Sequence, residues 1–199
     1  KADLTNIKIE KVKGGGIEDT ELIEGIVLDK EKVSIDMPSI VKNAKIALVD
    51  AALEIKSPER EAKISVTSPE QLQSFIENEE RQLKKMVEKI KESKANVVFC
   101  QKGIDDIAQY YLAKENIYAV RRISKSDMEK LSKATNGRII SNLEELKESE
   151  LGSAEIVEEI KEGEEAFTYV RGCKNPKALT ILIKGGTEHI VSEIERAIK

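Results

Sequence analysis

Residues 95–114 read Ala-Asn-Val-Val-Phe-Cys-Gln-Lys-Gly-Ile-Asp-Asp-Ile-Ala-Gln-Tyr-Tyr-Leu-Ala-Lys, and this stretch decides the fold class. Its first part is a short apolar run bounded by polar residues, which is typical of a buried β-strand. After Gly103, apolar residues recur at helical spacing, at Ile104, Ile107, Ala108, Tyr111 and Leu112. A buried strand followed by an amphipathic helix is the repeating unit of α/β proteins, so the stretch predicts an α/β fold.

The same alternation of short apolar runs and helical patterns extends over the rest of the chain. It predicts further strands at residues 7–12, 24–29, 44–50, 62–66, 118–121, 138–140, 166–170 and 179–183, besides 96–101. Glycine-rich or charged turns separate several of these runs. A last helix is predicted at residues 187–199.

Residues 68–94 predict a long helix with an unusual distribution of apolar residues. Ser68 suits the N-cap, Pro69 the first turn, and Gln71 completes a capping box. One apolar group (Leu72, Phe75, Ile76) lies about 15 Å along the helix from a second (Leu83, Met86, Val87, Ile90), at 1.5 Å per residue. Only polar residues lie between the two groups. Either the outer group is carried to a solvated tip, or this is an ordinary amphipathic helix with a polar interruption.

The predicted helix at residues 105–114 has an outer face that carries Asp106, Gln109, Tyr110 and Lys114. Tyr110 lies off the apolar stripe, and an amphipathic aromatic at such a position suits an interface. Lone exposed tyrosines are also common, so the residues alone leave both interpretations open.

Composition limits the possible partners. The 199 residues are 40% hydrophobic and 35% charged with a net charge of −4, and no basic block long enough to follow a phosphate backbone occurs. We therefore expect a globular chain that binds neither nucleic acid nor membrane. The two cysteines, Cys100 and Cys173, are far apart, which favours a reducing cytoplasm over a disulfide framework. Because the first residue is Lys1 rather than Met, we expect a piece of a longer protein.

Glycine clusters invite a phosphate-binding interpretation. Gly14, Gly15 and Gly16 are followed by Ile-Glu-Asp, without the lysine of a P-loop, and acidic residues there would repel phosphate. A flexible hinge fits better. His189 is the only histidine, and neither cysteine has a metal-ligand partner at short spacing. Carboxylate pairs at 79–80 and 158–159 are interpreted as solvated faces of charged helical stretches. The sequence nominates no catalytic, cofactor or metal residue.

Several segments in order along the chain resemble the archaeal group II chaperonins, the thermosomes. The strongest is residues 95–106, Ala-Asn-Val-Val-Phe-Cys-Gln-Lys-Gly-Ile-Asp-Asp. Others are Gly-Ile-Val-Leu-Asp-Lys-Glu at 25–31, Asn-Ala-Lys-Ile-Ala-Leu at 43–48, Lys-Ser-Asp-Met-Glu-Lys-Leu at 125–131, and Gly-Cys-Lys-Asn-Pro-Lys at 172–177. The resemblance covers essentially the whole chain.

This resemblance implies an apical domain at residues 20–167, with intermediate-domain segments of α+β structure at 1–19 and 168–199. The apical domain would be a layered β/β/α body, and residues 57–94 would form its helical protrusion, a built-in lid. The lid tip would hold Ile64, Val66, Leu72, Phe75 and Ile76. Gly14–Gly16 and the turn that contains Gly163 would form the hinge on which the apical domain swings.

The implied function is binding and enclosure of non-native polypeptides. The client-binding residues would be Val33, Met37 and Pro38 on a loop, and Gln109, Tyr110 and Lys114 on the 105–114 helix. The parent protein would use ATP and Mg²⁺ and assemble into a double ring with neighbouring subunits. Neither the family's Gly-Asp-Gly-Thr-Thr phosphate loop nor its water-activating aspartate is matched in this sequence, so the fragment itself would hold no cofactor and would not be an enzyme.

Two alternatives from other classes remain. One is a nucleotide- or phosphometabolite-binding α/β enzyme that uses the glycine loops. The other is a helical adaptor with residues 68–94 as a coiled-coil arm, although the polar gap at residues 77–82 interrupts any heptad pattern.

Overall fold

A computed structural model describes residues 7–13, 21–55, 68–173 and 179–185. The α/β fold class is confirmed. The strands are β1 (Ile7–Lys13), β2 (Glu21–Leu28), β3 (Ile40–Val49), β4 (Val97–Cys100), β5 (Tyr118–Val120), β6 (Ile139–Ile140), β7 (Gly152–Glu162), β8 (Glu165–Cys173) and β9 (Leu179–Gly185). The helices are α1 (Pro69–Glu92), α2 (Asp106–Lys114) and α3 (Lys125–Thr135), with short 3₁₀ turns at Leu143–Glu145 and Glu148–Glu150. The strand and helix predicted at 62–66 and 187–199 lie outside the described residues.

The strands form one mixed sheet in the order β1-β9-β2-β8-β7-β3-β4-β5, with β6 also paired to β3. The part β6-β3-β4-β5 is parallel, and helices cross over between its strands, as parallel pairing requires. The part β3-β7-β8-β2 is antiparallel. The parallel half therefore carries the helices, while the antiparallel half is a ribbon of long strands.

Alternate residues of the parallel strands enter two separate cores, because successive side chains of a strand point to opposite faces. On β3, Ile46 and Leu48 lie in the first core cluster, together with α3 residues such as Met128 and Leu131. Ala47 and Val49 lie in the second cluster, which α1 and α2 cover. Residues 46–49 are all fully buried, which explains why this strand reads as a continuous apolar run.

The sheet curls so that its edge strand β5 approaches β8 around the first core. The hydroxyls of Tyr118 on β5 and Thr168 on β8 are 2.7 Å apart, although three strands separate them in the sheet order. The Val33 amide, just after β2, donates to the Ala119 carbonyl on β5 at 2.9 Å. Two β-layers thus enclose the first core, and α1 and α2 form a third layer over the second core. This is the predicted layered β/β/α arrangement.

Strand β2 changes its partner at Gly25. Residues up to Glu24 pair with β9, and those from Gly25 pair with β8. Gly25 has φ of +127°, and a Cβ there would lie 2.0 Å from the Val170 carbonyl oxygen, so the position requires glycine. The predicted domain boundary at 167/168 falls inside β8, which pairs with β7 through Cys173. The domain limits remain a prediction, and Gly25 is the point at which the strand pairing itself changes.

Gly163 does not fit its predicted role as a hinge. It lies in the two-residue turn between β7 and β8, with φ of +69°, and the flanking Glu162 and Glu165 are paired. A hinge connects two bodies, whereas this turn is the tip of a continuous hairpin. The other predicted hinge residues, Gly14, Gly15 and Gly16, lie outside the described residues.

The sequence did not predict β7, the central antiparallel strand. The interpretation of Glu158 and Glu159 as part of a solvated helical face is therefore wrong. Both are on β7 and both are engaged: Glu158 pairs with Arg171 at 3.4 Å, and a Glu159 carboxylate oxygen accepts the Lys32 amide at 3.0 Å. The Glu79–Glu80 pair does lie on a helix, α1, as expected.

Candidate functional site

Helix α1 begins as its sequence predicts. The Ser68 hydroxyl accepts the Gln71 amide at 3.1 Å, which satisfies one of the free amides of the first turn. In its C-terminal half, Leu83, Val87 and Ile90 are buried in the second core, and Met86 packs against it. This half anchors the helix on the sheet.

The N-terminal half of α1 carries the predicted lid-tip residues that the structure describes. Leu72 is 46% exposed and Ile76 is 38% exposed, while Phe75 is half-buried. The outer apolar group is thus not part of the main core, which excludes an ordinary amphipathic helix buried along its whole length. Ile64 and Val66 lie outside the described residues.

Helix α2 separates its two faces as predicted. Ile104, Ala108 and Leu112 are buried, while Ile107 and Tyr111 pack against the same cluster only partly buried. On the opposite face, Tyr110 is 61% exposed, and its ring meets Tyr111 edge-on at 5.4 Å. The outer face therefore presents an aromatic ring held by its neighbour.

The other predicted binding residues of α2, Lys114 and Gln109, differ in solvent exposure and in the hydrogen bonds they already make. Lys114 is exposed at the end of the helix. Gln109 is half-buried, and its amide nitrogen donates to the Ile104 carbonyl at 2.8 Å, so this amide group already has a structural role. Tyr110 and Lys114 are the more accessible pair.

The loop at residues 32–40 corrects one prediction. Met37 was expected to offer an apolar contact at the surface, but it is only 3% exposed and belongs to the second core. The short loop folds back so that Met37 covers the sheet beneath it. Val33 and Pro38 are half-buried.

Two exposed apolar residues of this loop were missed by the sequence reasoning. Ile35 is 90% exposed, and Ile40, the first residue of β3, is also exposed. Ile35 lies between Ser34 and Asp36, and the apolar residues Val33 and Met37 lie two positions away on either side. Nothing in this local sequence distinguishes the exposed Ile35 from Met37, which is buried.

The loop and α2 both pack on the second core cluster. Met37 and Val33 from the loop and Ala108 and Leu112 from α2 all contribute to the second core. The loop is also hydrogen-bonded to β5, the strand that follows α2. We call the exposed side chains of these two elements (Ile35, Ile40, Tyr110 and Lys114) the capture surface.

The two cysteines are free thiols. Cys100 is fully buried, its Sγ lies 3.2 Å from the Ala51 carbonyl oxygen, and burial raises its thiol pKa to about 11. Burial also raises the pKa of the half-buried Cys173 to about 11. Both groups are therefore protonated near neutral pH, and Cys100 packs in the core as a small hydrophobe.

A cavity of about 650 Å³ lies between α1, the segment after β3 and residues 141–144. Its charged lining is balanced, with three acidic and three basic residues: Asp50, Glu54, Glu144, Lys85, Lys89 and Lys102. Lys89 is already paired with Glu144, and Glu54 with Arg122 at 3.5 Å. Within the described parts of the chain, no group of three His, Cys, Asp or Glu side chains could hold a metal ion. No helix there is long and apolar enough to cross a membrane.

Comparison with known proteins gives a consistent result. The model of the TCP-1/cpn60 chaperonin family matches residues 1–199. The thermosome subunit alpha of Thermoplasma acidophilum is 61% identical over 196 residues, which are 98% of this chain and 36% of that protein. A thermosome subunit of Methanopyrus kandleri is 59% identical over 197 residues, 99% of this chain and 36% of that protein.

Among solved structures, the open-state monomer of a group II chaperonin from Methanococcoides burtonii matches with a TM-score of 0.82 and 45% identity. The match covers 98% of this chain and 42% of that one. The chain thus spans little more than a third of the length of the curated relatives it matches.

Proposed function

The chain belongs to the TCP-1/cpn60 chaperonin family, and on that premise we propose that it captures segments of non-native polypeptide on the capture surface. The observation that carries the proposal is the exposure of the Ile35 and Tyr110 side chains to solvent. They are 90% and 61% exposed on elements that are otherwise firmly packed. Apolar groups exposed on a stable scaffold are available for contact with a partner, and interaction sites are built from such groups.

The chemistry of the surface suits partners of varied sequence. Burying apolar area gains about 25 cal/mol per Å² whatever its sequence, and an aromatic ring with a polar hydroxyl tolerates mixed neighbours. Lys114 adds a long flexible cation at the edge of the surface. One such patch binds weakly, and several patches held together would bind with avidity.

In the whole protein, we propose that this capture is one step of an ATP-driven folding cycle. The N-terminal half of α1 would belong to the lid, where Leu72 and Ile76 would meet the lids of neighbouring subunits as the chamber closes. ATP and Mg²⁺ would act in the remainder of the whole protein. The free, protonated thiols support a reducing cytoplasm as the place of action. The alternative of a phosphometabolite enzyme rests on the glycine loops, at Gly14–Gly16 and Gly185–Gly186, of which only Gly185 lies within the described residues, so no observation of the structure favours it.

Fluorescence anisotropy with a labelled, reduced and alkylated polypeptide tests the capture surface. We expect binding to the unfolded probe and none to its native, disulfide-bonded form. Ile35→Ser and Tyr110→Ser should each weaken binding by about tenfold, the effect of losing one anchor worth about 1.4 kcal/mol. Glu129→Ser, an exposed change on α3, serves as the control and should have no effect. Equal binding by all variants would refute this assignment.

A further inference from the structure

We propose that Lys32 is a positioning residue: its ammonium group fixes the loop that presents Ile35, so the loop meets a client in its binding shape. This inference rests on the proposed function. It assigns a role to a lysine that does not itself contact the client.

The side chain of Lys32 runs back into its own loop. Its Nζ donates to the Met37 carbonyl at 2.9 Å and to the Ser39 hydroxyl at 3.1 Å, with the Ile35 carbonyl at 3.5 Å. An ammonium group has three donors and no acceptor, and three neutral oxygens of one loop lie around it. The three oxygens belong to residues 35–39, so this single ammonium group links both sides of the turn and restricts its backbone.

Both ends of the loop are tied to one residue of β7. A carboxylate oxygen of Glu159 accepts the Lys32 amide at 3.0 Å, and the Glu159 amide donates to the Ser39 carbonyl at 2.9 Å. The two ends of the loop are therefore held at a fixed separation. The Thr168 hydroxyl, on the neighbouring strand, donates to the Lys30 carbonyl at 2.8 Å and fixes the approach to the loop.

The middle of the loop is held by contacts to β5 and to the second core. The Val33 amide bonds to Ala119 on β5, and Met37 is buried in the second core. A local turn adds bonds from the Met37 amide to the Ser34 carbonyl at 3.2 Å and from the Asp36 amide to the Ser34 hydroxyl at 3.2 Å. With these groups held, Ile35 is the apolar side chain of residues 33–38 that projects outward.

The consequence is pre-organisation. A loop that becomes ordered only when it binds loses conformational entropy at that moment, which weakens its affinity. A loop that is already ordered avoids this loss, so the free energy gained by burying the Ile35 side chain is not offset by the cost of ordering the loop. Lys32 and Ile35 should therefore act as a coupled pair rather than independently.

Lys32→Met removes the ammonium group and keeps an apolar stem, and Lys32→Arg restores donors. We expect Lys32→Met to weaken binding of the reduced, alkylated probe by about tenfold, the worth of a hydrogen bond to a charged group. Amide exchange at residues 33–38 should accelerate, while the melting temperature should fall by only a few degrees, since about 1 kcal/mol shifts it by about 2–4 °C in a chain of this size. Lys32→Arg should recover most of the affinity. If Lys32→Met fails to fold, Ser39→Ala removes one acceptor and should give the same changes in smaller size.

The double variant Lys32→Met/Ile35→Ser provides the decisive readout. It should bind no more weakly than Ile35→Ser alone, because a brace has no effect once the group it positions is gone. Additive losses, or unchanged binding by Lys32→Met, would overturn the inference and leave the capture surface intact. If the wild type binds no probe, the proposed function is refuted instead. The role of Lys32 can still be tested in that case, because unchanged amide exchange at residues 33–38 in Lys32→Met would by itself refute it.

Discussion

The two halves of helix α1 have similar apolar content and opposite environments. Leu83, Val87 and Ile90 of the C-terminal half are buried in the second core, whereas Leu72 and Ile76 of the N-terminal half are exposed. The two groups are separated by residues 77–82, which are all polar or charged. An apolar residue in a helix therefore does not by itself indicate a core position, and the continuity of the stripe decides which part of the helix is anchored.

The largest effect should come from the anchored half. Leu83→Ala removes a side chain that is fully buried between α1 and the sheet, and it should lower the free energy of unfolding by about 2–5 kcal/mol. Denaturant unfolding measures this loss. A cost under about 0.5 kcal/mol, typical of surface positions, would mean that the helix is not anchored here.

The same contrast between a buried and an exposed residue recurs in the loop at residues 32–40, where Met37 and Ile35 are only two positions apart. Because Met37 is buried, Met37→Ala should destabilise the fold by about 2 kcal/mol, the lower limit for core truncation, since a loop relaxes around a cavity. Ile35→Ala, on an exposed side chain, should change the free energy of unfolding by less than about 0.5 kcal/mol. Thermal and denaturant unfolding of the two variants compare them directly, and the reverse order would contradict the observed burial.

The smallest effect should come from the outer half of α1. Leu72→Ala makes the same chemical change as Leu83→Ala in the same helix, so it is the matched control. It should alter the free energy of unfolding by about 0.5 kcal/mol or less, because the Leu72 side chain is 46% exposed. A loss as large as that of Leu83→Ala would place this half in a core and remove the structural basis for a lid.

Local patterns predicted most of the fold. The strands β1 to β6, β8 and β9 and the helices α1 and α2 all fall where the apolar runs, the stripes and the cap residues indicated. These signals work because a helix or a buried strand records its own period in consecutive residues. Strand β7 was missed because Glu155, Glu158 and Glu159 interrupt its apolar pattern, and its identity as a strand depends on two distant partners.

The candidate site was predictable only in part. Tyr110 could be placed on the outer face of α2 because its neighbours on the stripe lie within one helical turn of it. Met37 could not be placed, because a residue in a loop has no period, and its burial results from the way the loop folds onto β5 and the second core. Ile35 was overlooked for the same reason. Glu159 was interpreted as a solvated carboxylate because β7 was missed, so its bonds to Lys32 and Ser39 were not expected.

The sequence alone determined the α/β class, the two separate apolar groups of α1 and the outer face of α2, because these depend on residues close in the chain, whereas the exposure of the outer half of α1 came from the structure. Only the tertiary structure decided the partner change of β2 at Gly25, the closure of the sheet through Tyr118 and Thr168, and the bracing of the loop by Lys32. Strand partners and loop contacts join residues that are far apart in the chain. Lys32 and Glu159, for example, are separated by 127 positions. No local pattern specifies such pairings, because their geometry exists only once the whole sheet has formed.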